Sequence, residues 1–254
     1  MNDRLRIYGF RGSHPCEAVC AAADHKGIAY DFVTVPPAMH RLIMPLMFGG
    51  SRVPGAKFAK RKEQKTTNIF RLLDQIVPEP ALFPEDPILR ARVDEAERWG
   101  EGEIQDVGRR VVWAHLSRSP ETVRAWTDGD PPGFARWLKK HLGPAMAQVA
   151  KFGNKASDEN VRADLAALPE SLDRIDGYIA AGTIGGEIPN AADFQILSTV
   201  GMLMNMLDLR EAIMERPCGP RAMRLFPDYS GRVPAGLLPE EWFGSLRAPI
   251  SSRA

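Results

Sequence analysis

Residues 5–35 constrain this chain more than any other stretch. Residues 5–10 are a short run of branched and aromatic side chains, the composition of a strand. "RGSHP" then turns the chain, and Pro15 stands where a helix can open, since the amide proton it lacks would have no partner there. "EAVCAAADHK" holds good helix formers and stops at Gly27, a natural helix end. "IAYDFVTV" follows as a second strand, closed by Pro36 and Pro37. A strand, a helix and a strand in so short a span form a parallel pair joined by a crossover, which commits this end to an α/β sheet.

Between the second strand and the next, "MHRLIMPLMFGGS" reads as irregular. "RVPGAKF" and "RKEQK" read as two short antiparallel strands joined by a tight turn. "TTNIFRLLDQIV" reads as a helix, with Thr66 as its N-cap and Ile69, Leu72, Leu73 and Ile76 on one apolar face. "PEPALFPEDP" then places four prolines in ten residues, which neither a helix nor a strand tolerates. It is the linker of the chain. Everything beyond it has helical character: an amphipathic run over 87–116, a break at "DGDPPG", and a helix from 157 to about 181 punctuated by Pro169. A further helix is opened by Asn190 and Asp193 in a capping-box arrangement. The expected organisation is an α/β domain over 1–80, a linker over 81–87 and an all-helical domain over 88–254, with an irregular tail from about residue 229.

Bulk properties exclude several classes. The 254 residues are 44% apolar and 26% charged, as in a globular protein with a substantial core. The net charge of +1 offers no overall attraction for nucleic acid or an anionic membrane. The longest apolar run, "ILSTVGMLMNML", falls short of the ~20 residues that span a bilayer. Three cysteines, at 16, 20 and 218, cannot all pair within the chain and show no zinc spacing. With no apolar signal core at the N-terminus, these features predict a cytoplasmic protein. The five histidines lack ligand spacing and no phosphate-binding glycine loop is present, so neither metal nor nucleotide chemistry is expected.

The order βαβ–ββα, proline-rich linker and helices resembles that of the cytosolic glutathione S-transferases over nearly the whole chain. "RIYGFRGSHPCEAV…HKGI" resembles their omega-like and other Cys/Ser-type members, in which the active-site residue opens the first helix five positions after a strand tyrosine; that position is Ser13. "RVPG" resembles the family's Val-Pro element with its cis proline, "KTTNIFRLLD" its third-helix motif, "PALFPEDP" its linker and "IPNAADF" the start of its folding box. The resemblance implies a thioredoxin-like N-terminal α/β domain with a four-stranded mixed sheet, followed by an all-α domain. It also implies glutathione as co-substrate, a small hydrophobic electrophile as its partner in the reaction, and a homodimer. Three positions depart from the family pattern, the mildest being Thr66, which stands where a serine is usual. His14 occupies the place of the proline after the active-site residue, and Lys65 that of the acid which takes the γ-glutamyl ammonium.

The chemistry then falls to few residues. A free thiol has a pKa of about 8.5, so only a few per cent of it is nucleophilic thiolate at neutral pH. A helix N-terminus and a hydroxyl donor both stabilise thiolate, and Ser13 is placed to supply the hydroxyl; the plain alternative is that it only caps the helix. Cys16, one turn further in, is either a redox thiol or a small buried apolar residue. Cys20 and Cys218 read as core. Tyr8 lies inside the strand and reads as packing. Arg11 reads equally as a partner for a peptide carboxylate and as a solvated side chain. By resemblance Val53, ahead of cis Pro54, pairs its backbone with the peptide, while Lys65, Thr66 and His14 border it. The favoured activity is conjugation of glutathione to the electrophile, with Ser13 stabilising the thiolate. The alternatives are a glutathione-dependent thiol–disulfide or dehalogenating reductase acting through Cys16, and a non-catalytic binding or assembly module.

Overall fold

The computed structural model describes residues 4–35, 39–125, 133–229 and 231–247. Strands β1 (Leu5–Gly9), β2 (Tyr30–Thr34), β3 (Gly55–Phe58) and β4 (Arg61–Gln64) form one mixed sheet in the order β2-β1-β3-β4. β1 and β2 run parallel, with Leu5 opposite Tyr30 and Gly9 opposite Thr34, whereas β3 is antiparallel to both β1 and β4. Side-chain alternation along β1 divides the packing between two layers. Leu5 and Ile7 face α1 (His14–His25) and α3 (Thr66–Ile76), which contribute Val19, Ala22, Ile69, Leu72 and Leu73 to the main core. Tyr8 points the other way, into a second cluster with Val35 and Met44.

That second cluster explains why the irregular reading of "MHRLIMPLMFGGS" fails. The segment forms helix α2 (His40–Phe48), ended by Gly49 in the left-handed region at φ +88°. Pro45 and Gly49 look like breakers, and Leu42 and Leu46 are solvent-exposed, so no clean amphipathic stripe marks the helix. Packing of Met44, Ile43, Met47 and Phe48 on Tyr8 and Val35 overrides these local signals. A second correction concerns α3. Its N-cap is Lys65, at φ +72°, and Thr66 is the first helical residue.

The remainder is helical. α4 (Pro87–Trp99) runs through a π-helical turn (Gly100–Ile104) directly into α5 (Gln105–Leu116), so the expected long helix exists but carries an extra residue in its winding. α6 (Pro120–Ala125), α7 (Phe134–Gly153), α8 (Asp158–Ala180), α9 (Ala191–Met204), α10 (Leu207–Met214), α11 (Cys218–Leu225) and the short α12 (Gly244–Arg247) complete it. Most of the expected break at "DGDPPG", and the Pro36-Pro37 stop, lie outside the described residues. Pro169 does not interrupt α8; it is buried among Leu165, Leu168 and Leu172, whose packing holds the helix continuous.

α9 is the axis of the helical half. Every residue from Ala191 to Met204 is buried, and the helix touches α1, α3, α4, α5, α10 and α11. Its capping box is complete: Asn190 Oδ1 accepts from the Ala192 and Asp193 amides, and the Asp193 carboxylate accepts from the Asn190 and Gly185 amides. Burial lifts the Asp193 pKa to about 6 despite those donors. The linker is fastened to the sheet half by Lys26, whose buried ammonium donates to Asp74 at 2.7 Å and to the Pro80 carbonyl at 2.6 Å. Beyond Tyr229 the chain has little regular structure, yet it is packed: Val233 bridges to Met206, and Leu238, Phe243 and Leu246 are buried. Among the described residues no helix is long and apolar enough to cross a membrane.

Candidate active site

The site is built from the turn between β1 and α1. Gly12, at φ +84°, adopts a conformation that side-chain-bearing residues rarely take, and the chain then enters the helix at Ser13. Ser13 is the N-cap, with φ −80° and ψ 112°, but its side chain makes no capping hydrogen bond. The turn is instead held by its neighbours. Glu17 accepts from the Gly12 amide at 2.8 Å and from Arg11 at 3.1 Å. Tyr229, far along the chain, donates its hydroxyl to the Gly12 carbonyl at 3.3 Å. The Ser13 hydroxyl, within hydrogen-bonding reach of the Cys16 thiol but free of any capping bond, stands at a helix N-terminus, where the macrodipole favours negative charge.

Two adjoining cavities meet at this point. The larger, of about 410 Å³, has Ser13, His14 and Val53 in one wall and Val112, Trp113, Leu116 and Met146 in another. The smaller, of about 240 Å³, is lined by Lys65, Thr66, Glu101 and Gln105. Pro15, Arg52, Val53 and Arg109 belong to both. Val53–Pro54 is cis, and Pro54 is buried behind Val53. The structure thus gathers Ser13, His14, Val53, Lys65 and Thr66 about one cleft between the sheet half and the helices. Two residues stand apart. Arg11 lines neither cavity; it pairs with Glu17 and lies over the Phe32 ring at 4.4 Å. Cys16 is fully buried, with its sulfur so close to Gly9 that a Cβ there would collide with it.

Burial sets the protonation states. It pushes the Cys16 thiol up to about 12, against the opposing pull of Ser13 and the Phe10 backbone, and does the same to Cys20. Neither is a thiolate at neutral pH. His14 is only 2% exposed; burial, then the Arg109 charge, hold it well below the usual imidazole range, so it is neutral. Its Nδ1 lies 3.0 Å from Met202 Sδ, and its Nε2 has no partner. His40 is lowered to about 4 by burial and then by Arg41. Arg109 is held by Asp106 and Gln105, and burial followed by the nearby Arg52 lowers its pKa. Among the described residues no cluster of three histidine, cysteine or acidic side chains could hold a metal.

Sequence reasoning passed over Arg41, Arg52, Glu101 and Arg109. Arg52 abuts the Val53–Pro54 element and was accessible from it. Glu101 and Arg109 owe their place to the π turn, which rephases the helix; Gly100 there packs so tightly on Gln195 and Ile196 of α9 that no side chain would fit unshifted.

A thioredoxin-like sheet half, continued by helices packed around a buried central helix and leaving a cleft at the start of α1, is the fold of the glutathione S-transferases. The chain has that fold. It is similar along nearly its whole length to a glutathione S-transferase from Sinorhizobium meliloti (TM-score 0.60, 16% identity, 96% of this chain and 100% of that one). It is likewise similar to one from Rhodospirillum rubrum (TM-score 0.56, 17% identity, 93% and 99%). A glutathione transferase homologue from Drosophila mojavensis, with bound glutathione, matches at a TM-score of 0.50 and 14% identity over 89% of this chain and 96% of that one. No protein-family model matches the sequence, and no curated protein matches it.

Proposed function

We propose that this chain is a glutathione S-transferase of the omega-like Ser/Cys type, which activates the thiol of glutathione for attack on a hydrophobic electrophile. The observation that carries the reading is the place of the Ser13 hydroxyl: it makes no capping bond, its neighbour is the neutral Cys16 thiol, and it stands at the N-terminus of α1 in the wall of a cavity that Val53 joins to the groove bearing Thr66. The glutathione bound in the Drosophila homologue supports the choice of thiol.

In this reading the thiol sits against Ser13 Oγ, which donates a charge-assisted hydrogen bond to the thiolate while the helix dipole adds its field. The Val53 backbone pairs with the peptide as an added strand would. Thr66 and the N-terminus of α3 take the γ-glutamyl carboxylate, and Glu101 supplies the counter-charge for its ammonium that Lys65 does not. Thiolate attack forms the new carbon–sulfur bond as the leaving group departs with its electron pair, and the thiol proton passes to solvent. The burial of Cys16 and its raised pKa speak against the reductase alternative, which needs an accessible thiolate. The working boundaries remain 1–80 for the glutathione-binding half and 88–254 for the helical half, in a cytoplasmic homodimer.

A calorimetric titration with glutathione, paired with turnover of a generic aryl halide and of a mixed disulfide, tests this. Millimolar or tighter binding with thioether product is expected. Binding without either product would favour the non-catalytic module, and disulfide reduction alone would favour Cys16.

A further inference from the structure

The charges around the two cavities do not balance for glutathione alone. Arg41, Arg52, Lys65, Arg98 and Arg109 line them, and Glu101 is the only carboxylate among the described lining residues. Only Arg109 has a salt bridge, to Asp106 outside the lining; Arg41, Arg52 and Lys65 have no ion pair among the described residues. A bound glutathione thiolate carries a net double negative charge. With Glu101 and Asp106 counted, at least one positive charge is left over.

The surplus sits mainly in the larger cavity, whose described lining holds Arg41, Arg52 and Arg109 with no carboxylate. Polar atoms behind its walls also lack a partner. His14 Nε2 and His40 Nδ1 are shut off from solvent without a hydrogen bond, and His14 is almost wholly buried. A cavity meant for a neutral hydrocarbon would not keep guanidinium groups there. Asp106 pairs with Arg109 from outside the cavity, but Arg52 beside it has no ion pair among the described residues, so an anion between the two guanidinium groups would relieve their repulsion. The opposite wall is apolar, formed by Val112, Trp113, Leu116 and Met146.

We infer that the second ligand of the larger cavity is an organic acid with an apolar, aryl-sized body, its carboxylate bound by Arg109 and Arg52 and its body against Trp113, Leu116 and Met146. This deepens the proposed transferase activity, and as a substrate assignment it rests on that reading. For an aryl halide acid the step balances simply: glutathione sulfur bonds to the ring carbon, the carbon–halogen bond breaks, halide leaves with the electron pair, and the carboxylate stays unchanged in the arginine pair. The positive charge nearby also stabilises the negative charge that builds up on the ring as sulfur adds.

The test compares para-chloro-meta-nitrobenzoate with the matching benzamide, which has the same shape and no charge. Calorimetry in the presence of non-reactive S-methylglutathione should show the benzoate binding at least about tenfold more tightly, the equivalent of one charge-assisted hydrogen bond. Arg109→Met should close that gap. Arg52→Met, on an exposed side chain, should narrow it and serves if the first variant does not fold. Equal affinity for the two probes, a gap kept in both variants, or a preference abolished by S-methylglutathione overturns the inference. With glutathione, turnover measured against the spontaneous rate separates the two claims. Equal acceleration of both probes overturns the acid specificity and leaves the transferase reading. Tight benzoate binding with no thioether product leaves the anion site and overturns the transferase reading.

Discussion

Ser13→Ala isolates the hydroxyl from everything around it. At most N-caps, replacing serine by alanine lowers stability by about 0.5–2 kcal/mol because a capping bond is lost. Here the Ser13 side chain makes no such bond, so the thermal midpoint should change little. The turn itself is held by Glu17 and Tyr229, which the substitution leaves in place. In the proposed role, what disappears is one hydrogen bond to the bound thiolate, worth roughly 1.5–3 kcal/mol for a charged partner. At ~1.36 kcal/mol per pKa unit, the thiol of bound glutathione should titrate about one to two units higher. Turnover at neutral pH should fall roughly tenfold to a hundredfold, recovering as the pH is raised, while glutathione affinity stays nearly constant. Ultraviolet absorbance of the thiolate in the binary complex reads the pKa directly, and a pH profile of kcat/KM reads its consequence. An unshifted titration, or a variant whose activity loss tracks a loss of folded protein, would refute the assignment of Ser13 as the thiolate's donor.

Cys16→Ala should leave transferase turnover within about twofold and lower stability by roughly 1–2 kcal/mol, since its thiol is buried and raised to about 12; abolished turnover would restore the reductase reading. Ser13→Cys should exchange part of the aryl-halide activity for mixed-disulfide reduction, because a thiol at a helix N-terminus has a lowered pKa; no disulfide activity would sink this. Lys65→Glu should tighten glutathione binding by removing a like charge beside the γ-glutamyl ammonium, and calorimetry that shows unchanged or weaker binding contradicts it. Glu97, fully buried against Arg71, is raised to about 7, mainly by burial. Between about pH 4.3 and 7 the unfolded chain has lost that proton while the folded chain keeps it, so Glu97 makes stability fall as pH rises through this window. Glu97→Gln should flatten that part of the melting-temperature profile, and an unchanged slope would show that other groups set it.

Local signals carried most of the fold. β1, β2 and the helix between them were legible because strand-forming runs alternate with Pro15, Gly27 and a helix-forming stretch, each of which acts within a few residues. The Asn190–Asp193 box was legible for the same reason. α2 was not, since Pro45 and the exposed Leu42 and Leu46 mask a helix that only the Tyr8–Val35 surface makes favourable. Thr66 looked like the cap because hydroxyl residues favour that position, whereas a lysine at φ +72° runs against every propensity. The same division holds at the site. Ser13, Val53, Lys65 and Thr66 are each marked by a turn, a proline or a helix start nearby. Arg41 and Arg109 are ordinary surface-type residues in helices, and only the packing of α2 and α5 about the cleft brings them together.

The bond from Tyr229 to Gly12 also has a consequence for synthesis. Its two ends lie 217 residues apart. At roughly 5–20 residues per second, some 10–40 s pass between the emergence of the Ser13 turn from the ribosome and that of the hydroxyl that fastens it. α1 waits nearly as long for α9, against which it packs. The nascent sheet half therefore spends that interval with its apolar helix faces uncovered and its Ser13 turn unfastened. A polypeptide cut short before α9 and Tyr229 leaves those faces open and the Gly12 carbonyl without its tyrosine donor, and so presents a surface for chaperones and proteases.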